Sequence, residues 1–230
     1  MEVLGSRLPV TLWFSFTALI ISTAIGIVFG VICAVFRGKV VDTVVTLIAN
    51  VCSCVPQFWV GILLMYIFSL KLGWLPSFGF AFPWDDFQKA TETYILPIIC
   101  LCLSPLASTT RQTRSSMLEV IRQDYIMTAR SKGVKEIKVI MLHALKNGLI
   151  PILSLMGMRI AHLVGGAVFV ETVFVIPGMG NLMISSVTFR DVPMVQACCL
   201  LTAAVACLAN LVIDILYAVV DPRIRFTEGE

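Results

Sequence analysis

Few side chains in this 230-residue sequence are suited to catalysis. Only 13% of the residues are charged, and the two histidines, His143 and His162, lie on different segments. An enzyme site or a metal site would need His, Asp or Glu side chains grouped at helix ends, and no such group occurs. Gly38-Lys39 lacks the first glycine and the Ser/Thr of a phosphate-binding loop. The sequence therefore predicts no catalytic residue, no metal site and no cofactor of its own.

The eight cysteines all lie in apolar runs. Cys-Ser-Cys at 52–54 and Cys-Leu-Cys at 100–102 have the form of metal or redox pairs. Because free cysteine in apolar surroundings behaves as a small hydrophobic residue, we expect these cysteines to serve packing alone.

Two ionisable residues, Arg159 and His162, interrupt a long apolar run that begins near Gly148. Arg159 would lie near the middle of a bilayer if this run spans one, since a helix rises 1.5 Å per residue. A charge at that depth is costly and faces either a partner or a wet cavity. One interpretation is that Arg159 forms an ion pair with Asp214, which lies in the next apolar run. The interpretation we favour is that both residues face a wet cavity.

A basic segment, "DYIMTARSKGVKEIKVIMLHALKNGLIP" at 124–151, contrasts with the apolar sequence around it. Asp124 is a suitable N-cap for a helix over 125–132, and Gly133 supplies a left-handed stop. A second helix is predicted from about Lys135 to Lys146. The segment carries six cationic positions, counting His143 when protonated: Arg130, Lys132, Lys135, Lys138, His143 and Lys146.

The first of these helices has about two turns and is too short to be stable alone. A solvated basic loop that only fixes the topology is one interpretation of the segment. Such a loop has no need of apolar residues, whereas a helix docked on a partner at the cytoplasmic face does. The segment contains several: Tyr125, Ile126, Ala129, Ile137, Ile140 and Met141.

Long apolar runs flank or contain the residues discussed above, so the helices that these runs form must position them. About 20 apolar residues cross the hydrocarbon of a bilayer, and only helices or closed barrels satisfy their backbone there. The sequence predicts an all-α polytopic membrane bundle, one transmembrane domain over 1–230. Five spans are predicted, at about 10–36, 43–70, 94–113, 148–170 and 194–220.

The Lys and Arg residues are distributed unequally between the two sides of these spans. Twelve of the 17 fall on the side that holds the loop 122–147 and the C-terminus. Under the positive-inside rule this side is cytoplasmic, so the chain starts outside and ends inside. Small residues four apart, Gly26 with Gly30 and Gly157 with Ala161 and Gly165, predict close helix approaches. Asp191 is predicted to cap the last span.

The basic segment resembles the coupling loop of permease subunits in binding-protein-dependent ABC importers, in the dipeptide, oligopeptide and nickel branch. The matching stretches are Asp124–Gly133 and His143–Pro151. The resemblance covers essentially the whole chain, in order. Further matches are "LPVTLW" at 8–13, "VPQFWVGILL" at 55–64, "LGWLPSFG" at 72–79, "TRSSMLEV" at 113–120, "GGAVFVETVFVIPGMG" at 165–180, "RDVPMVQ" at 190–196 and "NLVIDILYAVVDPRIR" at 210–225.

This resemblance implies a type I importer fold in a prokaryotic inner membrane, with a C-terminus in the cytoplasm. It implies a non-catalytic subunit that pairs with a second, similar permease as a heterodimer. Two ATPase subunits would bind the ATP, an extracytoplasmic binding protein would deliver substrate, and nucleic acid has no part. The residues that would couple to an ATPase are Asp124, Tyr125, Thr128, Ala129, Arg130, Lys132 and Gly133. Arg159 and His162 would line the translocation path, where a cation suits carboxylate substrates and disfavours a bare divalent metal ion.

Two departures from the wider superfamily are present. Met127-Thr128-Ala129 replaces Glu-Ala-Ala, as is usual in the peptide branch. The sequence also starts just before "LPVTL", where relatives generally have an additional helix and a large external region; a fragment, a late start and a five-span variant are the three interpretations of this. Peptides are the expected substrate, with nickel or another metal complex, or glutathione, as alternatives. A polytopic enzyme or a channel is the alternative of another class, and a channel has no need of a docking loop.

Overall fold

The computed structural model describes residues 2–149, 151–152, 156, 159 and 167–220, without the side chains of 213–214 and 216–220. These residues form helices, and no strand occurs among them, as the sequence predicts. Residues 167–173 are helical as well. The remaining elements are α1 (Glu2–Val35), α2 (Val40–Cys54), α3 (Gln57–Leu64) with its π-helical continuation Met65–Lys71, α4 (Phe87–Val120), α5 (Asp124–Ser131), α6 (Glu136–Lys138) with its π-helical continuation Val139–Ala144 and a final turn Leu145–Gly148, α7 (Met179–Thr188) and α8 (Val192–Val220).

Three of these helices, α1, α4 and α8, are long and apolar enough to cross a membrane. They cover the predicted spans 94–113 and 194–220 and all but the last residue of the span 10–36. The fourth, 148–170, lies largely outside the described residues, so the count of five stays a prediction. Asp191 caps α8 as expected, since its Oδ1 accepts the Met194 N–H at 3.1 Å.

The predicted span 43–70 is not one continuous helix. Its two halves, α2 and α3 with its continuation, meet at an angle of 100°. Val55 is extended (φ −80°, ψ 129°) and Pro56 (φ −61°, ψ 131°) precedes the first residue of α3. The proline ring excludes Val55 from the helical conformation, and this explains the break.

The helices α1 and α4 make the most extensive contact in the bundle. Gly26 and Gly30 of α1 lie directly against Thr109 and Thr113 of α4, and a Cβ on either glycine would overlap the facing threonine. The close helix approach predicted from Gly26 and Gly30 is therefore confirmed. The other predicted set, Gly157, Ala161 and Gly165, lies outside the described residues.

We expect Gly30→Leu to prevent this packing. The new side chain would overlap Thr113 and would press on the backbone oxygen of Thr110, which a rotamer change cannot move. Overpacking of this kind costs about 1–3 kcal/mol. Gly5→Leu is the matched control in the same helix, because nothing lies within 4 Å of its Cβ position. Thermal unfolding of the purified permease should separate the two variants, and equal midpoints would contradict the close packing.

Two apolar clusters stabilise opposite ends of α1 and α4. The first contains Phe14, Tyr94 and Leu101, together with Val170 and Phe174 from the chain that precedes α7. The second lies where α4 meets the basic segment; its buried members are Ala34, Met117, Ile126, Val139 and Ala144. The bundle thus holds the basic segment at one end and α7 at the other.

Candidate functional site

The short helix α5 begins as the sequence predicts, with one correction. The N-cap residue is Gln123 (φ −72°, ψ 148°), and Asp124 is the first helical residue, so the prediction of Asp124 as the N-cap is wrong. Its carboxylate nevertheless lies in the first turn, where negative charge complements the helix dipole. Within the helix, the Thr128 hydroxyl donates to the Asp124 carbonyl at 2.9 Å.

The end of α5 is a Schellman motif. The Gly133 N–H donates to the Arg130 carbonyl at 2.9 Å, and the Val134 N–H donates to the Ala129 carbonyl at 3.3 Å. Gly133 has φ +74°, the left-handed conformation predicted for it. Since no atom lies within 4 Å of its Cβ position, conformation alone, and not space, demands glycine there.

One face of α5 packs on its own chain. Ile126 is fully buried against the cluster that contains Met117 and Val139, and Ala129 and Ile140 pack against the same cluster. The prediction that these apolar residues all serve a partner is therefore wrong for Ile126. The reason is that a helix of eight residues is unstable alone, so one face of it must pack on its own chain before the other face can bind a partner.

Polar contacts fix α5 to the segment that follows it. Arg130 forms two bonds to the Glu136 carboxylate, from Nε at 3.0 Å and from Nη2 at 2.6 Å. The guanidinium holds the pKa of Glu136 below its usual value, so the pair stays ionised as the pH falls toward that value. The Asn147 amide donates to the Tyr125 hydroxyl at 2.8 Å. The helix α5 and residues 136–148 therefore form one docked unit.

The opposite face of this unit is exposed and mixes apolar with cationic side chains. Met127 is 57% exposed and Ile137 is 71% exposed, and both lie beside exposed cations. The other exposed residues are Tyr125, Met141 and Leu142 among the apolar ones, and Arg130, Lys132, Lys135, Lys138 and Lys146 among the cations. This exposed set is called the docking face below.

A second polar contact, missed from the sequence, connects the start of α2 to the C-terminal part of α4. Arg114 binds the buried Asp42 carboxylate at 2.6 Å and 2.9 Å, and the Gly38 N–H donates to the same carboxylate at 3.0 Å. The tight turn 36–39 is thus held near the basic segment.

We expect Asp42→Ala to loosen this turn. The loss of a bidentate ionic hydrogen bond costs about 1–2 kcal/mol here, because Arg114 keeps partial access to water. Tryptic cleavage after Arg37 and Lys39, followed by mass spectrometry, should become faster. Thr46→Val is the control, since its hydroxyl donates to Asp42 only weakly, at 3.4 Å. Unchanged cleavage in Asp42→Ala would show that the contact does not hold the turn.

The half-buried Arg159 contacts α4 through three groups. Its Nη1 donates to the Pro105 carbonyl at 3.0 Å and to the Thr109 hydroxyl, and its Nη2 donates to the Ser108 hydroxyl at 2.6 Å. The same Thr109 packs against Gly26, so the arginine lies next to the α1–α4 contact. The Asp214 side chain and His162 lie outside the described residues.

The structure thus brings together the predicted coupling residues 124–133 in one unit. Arg159 lies apart from them, and its side chain contacts the middle of α4. Sequence reasoning missed Glu171, which is buried at the far end of the bundle. Its only sequence signal is a lone acid before the turn "VIPGMG". All eight cysteines are free thiols. No group of three or more His, Cys, Asp and Glu residues with metal-binding geometry is found in the described part of the chain.

Comparison with known proteins finds relatives named as transport permeases. The oligopeptide transport system permease protein AppB of Bacillus subtilis (strain 168) is 38% identical over 227 residues, 98% of this chain and 72% of that protein. The glutathione transport system permease protein GsiC of Salmonella choleraesuis (strain SC-B67) is 41% identical over 225 residues, 98% of this chain and 71% of that protein.

A solved structure has the same fold. A chain of the MetNI methionine ABC transporter, in an inward-facing conformation, superposes with a TM-score of 0.78 at 18% identity, over 96% of this chain and 97% of that one. The fold is that of type I ABC importer permeases. A protein family described as the binding-protein-dependent transport system inner membrane component matches residues 26–226, which is most of the sequence. Taken with the 38–41% identity to transport permeases over nearly its whole length, this match means that the chain belongs to the family of binding-protein-dependent transport system inner membrane components.

Proposed function

We propose that this permease forms one half of the translocation path of an ATP-driven peptide importer and receives its driving motion through the docking face. A second, similar permease would supply the other half of the path. Two ATPase subunits would bind on the cytoplasmic side, and a binding protein would deliver substrate on the other side. The observation that carries the proposal is the docking face itself, an exposed mixture of apolar and cationic side chains on a helix that is anchored from behind.

The residues of α5 have separable roles in this proposal. Asp124 and Thr128 stabilise the first turn, Ala129 anchors the helix from behind, and Gly133 ends it. Tyr125 and Lys132 would contact a groove in one ATPase subunit, and Arg130 would hold α5 rigidly to Glu136. A rigid unit is required because a flexible loop would absorb the motion of the ATPase rather than transmit it.

ATP-driven closure of the ATPase subunits would move this unit as a nearly rigid body. The unit is packed on Met117 near the end of α4, and α4 is packed along α1. Movement of α5 would therefore tilt α4 and α1 together. This would change the access of the path between the two sides of the membrane.

Arg159, with His162, is proposed to line the path. Three neutral oxygens from α4 hold the guanidinium, so its positive charge is not cancelled by these contacts. A cation so placed attracts the carboxylate of a peptide and repels a free divalent metal ion. Two relatives, named for oligopeptide and glutathione transport, support substrates of this chemistry.

The orientation of the chain is a separate expectation. Lys135→Cys, in a background without other cysteines, should react with a membrane-impermeant maleimide only after the cells are opened. Phe78→Cys should react in intact cells, since Phe78 is exposed in the loop between the π-helical residues Met65–Lys71 and α4. Labelling of position 135 from outside would reverse the assignment and would place the C-terminus outside.

The proposal is tested by reconstitution. The permease would be co-purified with its partner ATPases, second permease and binding protein, and placed in liposomes. Labelled dipeptides, oligopeptides, glutathione and nickel would then be offered separately. Uptake of peptides that requires both ATP and the binding protein is the expected result. ATP-independent uptake, or uptake of nickel alone, would contradict it.

A further inference from the structure

A buried carboxylate joins three elements at the end of the bundle opposite α5. Glu171 is 1% exposed. Its Oε1 accepts the Thr11 hydroxyl of α1 at 2.6 Å, and its Oε2 accepts the N–H groups of Gly180 and Asn181 at 2.7 Å and 3.1 Å. The Thr11 oxygen in turn accepts the Met179 N–H at 2.8 Å. Glu171 and Thr11 thus satisfy three of the orphan N–H groups at the start of α7.

The chain around Glu171 is shaped to enclose this carboxylate. The backbone reverses at Val175 (φ +53°), and the Ile176 N–H donates to the Glu171 carbonyl at 2.8 Å. A Cβ at residue 178 would overlap the carboxylate itself, so Gly178 is required there. The negative charge also lies at the N-terminus of α7, where the helix dipole favours it.

A longer bond, from the Asn181 side-chain amide to the Glu171 carbonyl at 3.4 Å, also joins α7 to Glu171, and apolar contacts complete the packing of these elements. Met179 of α7 packs with Leu4 of α1 and Cys198 of α8. Val170 and Phe174 flank Glu171 and pack with Phe14 of α1. Arg159, the proposed path residue, is bonded to Thr109 of α4, and Thr109 packs against Gly26 of α1.

We propose that Glu171 is a positioning residue that fixes α7 to α1 and to the helical residues 167–173, so that α7, at the end of the bundle where the binding protein would deliver substrate, moves together with α1 and α4. This inference rests on the proposed function, in which ATP-driven motion enters at α5. Apolar packing lets helices slide, whereas four directed hydrogen bonds through one carboxylate and one hydroxyl hold a single register. Loss of these bonds would leave the bundle assembled, but α7 would no longer move with the ATP-driven motion that enters at α5.

The alternative is that Glu171 only stabilises the fold. The two roles differ in one measurable quantity, the stimulation of ATP hydrolysis by the binding protein. A purely structural loss would lower the yield, or would lower basal and stimulated hydrolysis together. A positioning loss would lower the stimulation while the basal rate stays close to that of the wild type.

The experiment uses the complete complex in nanodiscs, with ATP hydrolysis measured with and without saturating binding protein. Thr11→Val is the principal variant, because it keeps the carboxylate and its bonds to the Gly180 and Asn181 N–H groups. It removes the two bonds that Thr11 of α1 makes, to Glu171 and to the Met179 N–H. Glu171→Gln is the second, since it removes the charge with little change in shape. Thr172→Val is the matched control: its exposed hydroxyl donates to the Val168 carbonyl of its own helix, at 2.7 Å.

We expect stimulation by the binding protein to fall at least roughly fivefold in Thr11→Val and Glu171→Gln, the lower end of typical coupling effects. The basal rate should stay within about twofold of the wild-type rate, and Thr172→Val should behave as wild type. Normal stimulation in Thr11→Val would overturn the inference, as would an equal loss of basal and stimulated hydrolysis. If Glu171→Gln fails to assemble, Thr11→Val decides the outcome alone. A wild-type complex without ATP-dependent uptake would instead refute the proposed function.

Discussion

Gly133→Val is expected to abolish most uptake while the permease still reaches the membrane. The glycine has φ +74° at the end of α5, and a β-branched residue in that conformation costs about 1–2 kcal/mol. A cost of this size shifts the population of the docked geometry roughly 5- to 30-fold. The Schellman bonds to Ala129 and Arg130 would be lost first, because they depend on that conformation. ATP hydrolysis by the complex should continue without transport.

Gly133→Asn is the matched variant for this prediction. Asparagine tolerates the left-handed conformation far better than valine does, and the space around residue 133 is open. Uptake by Gly133→Asn should therefore stay close to that of the wild type. Equal uptake by the valine and asparagine variants would mean that the conformation of residue 133 has no part in coupling.

Arg159→Gln is expected to assemble normally and to transport carboxylate substrates poorly. The substitution removes a charge that is costly at this depth, so insertion should not suffer. If the guanidinium pairs with a substrate carboxylate in the path, its loss costs about 1.5–3 kcal/mol, which is roughly a 10- to 150-fold fall in uptake. Arg159→Lys, which keeps the charge but not the fork of donors to Ser108 and Pro105, should be intermediate. Arg122→Gln is a control for the loss of one exposed cation.

The ion pair with Asp214 remains the competing explanation, and a double variant separates the two. Under the ion-pair reading, Arg159→Gln leaves a carboxylate alone in the membrane and lowers the yield, and adding Asp214→Asn restores it. In the path reading, the yield never falls, and uptake is equally low with and without Asp214→Asn. A rescued yield in the double variant would contradict the path role of Arg159.

The local features of this fold could be predicted because each depends on neighbouring residues. The left-handed end of α5 follows from one glycine, and the cap of α8 follows from Asp191 ahead of Pro193. The close contact of Gly26 and Gly30 follows from their spacing. The break between α2 and α3 was open to prediction from Pro56, but the apolar run across it suggested one long helix.

The contacts between distant residues could not be predicted in this way. Asp42 and Arg114 are 72 positions apart, and Thr11 and Glu171 are 160 apart. A single sequence gives no measure of which acid meets which donor at such separations. Ile126 illustrates a related limit, since the sequence identifies an apolar residue but not whether its own chain or a partner covers it.

Photo-crosslinking from the docking face tests the central claim most directly. A photoreactive amino acid would replace Met127, which is 57% exposed on α5, and in a second protein it would replace Phe78, which is 71% exposed in the loop before α4. After illumination of the complex in membranes, position 127 should form a covalent adduct with an ATPase subunit, and position 78 should not. Adducts to the ATPase from position 78, or none from position 127 in a complex that transports substrate, would contradict the assignment of α5 as the coupling helix.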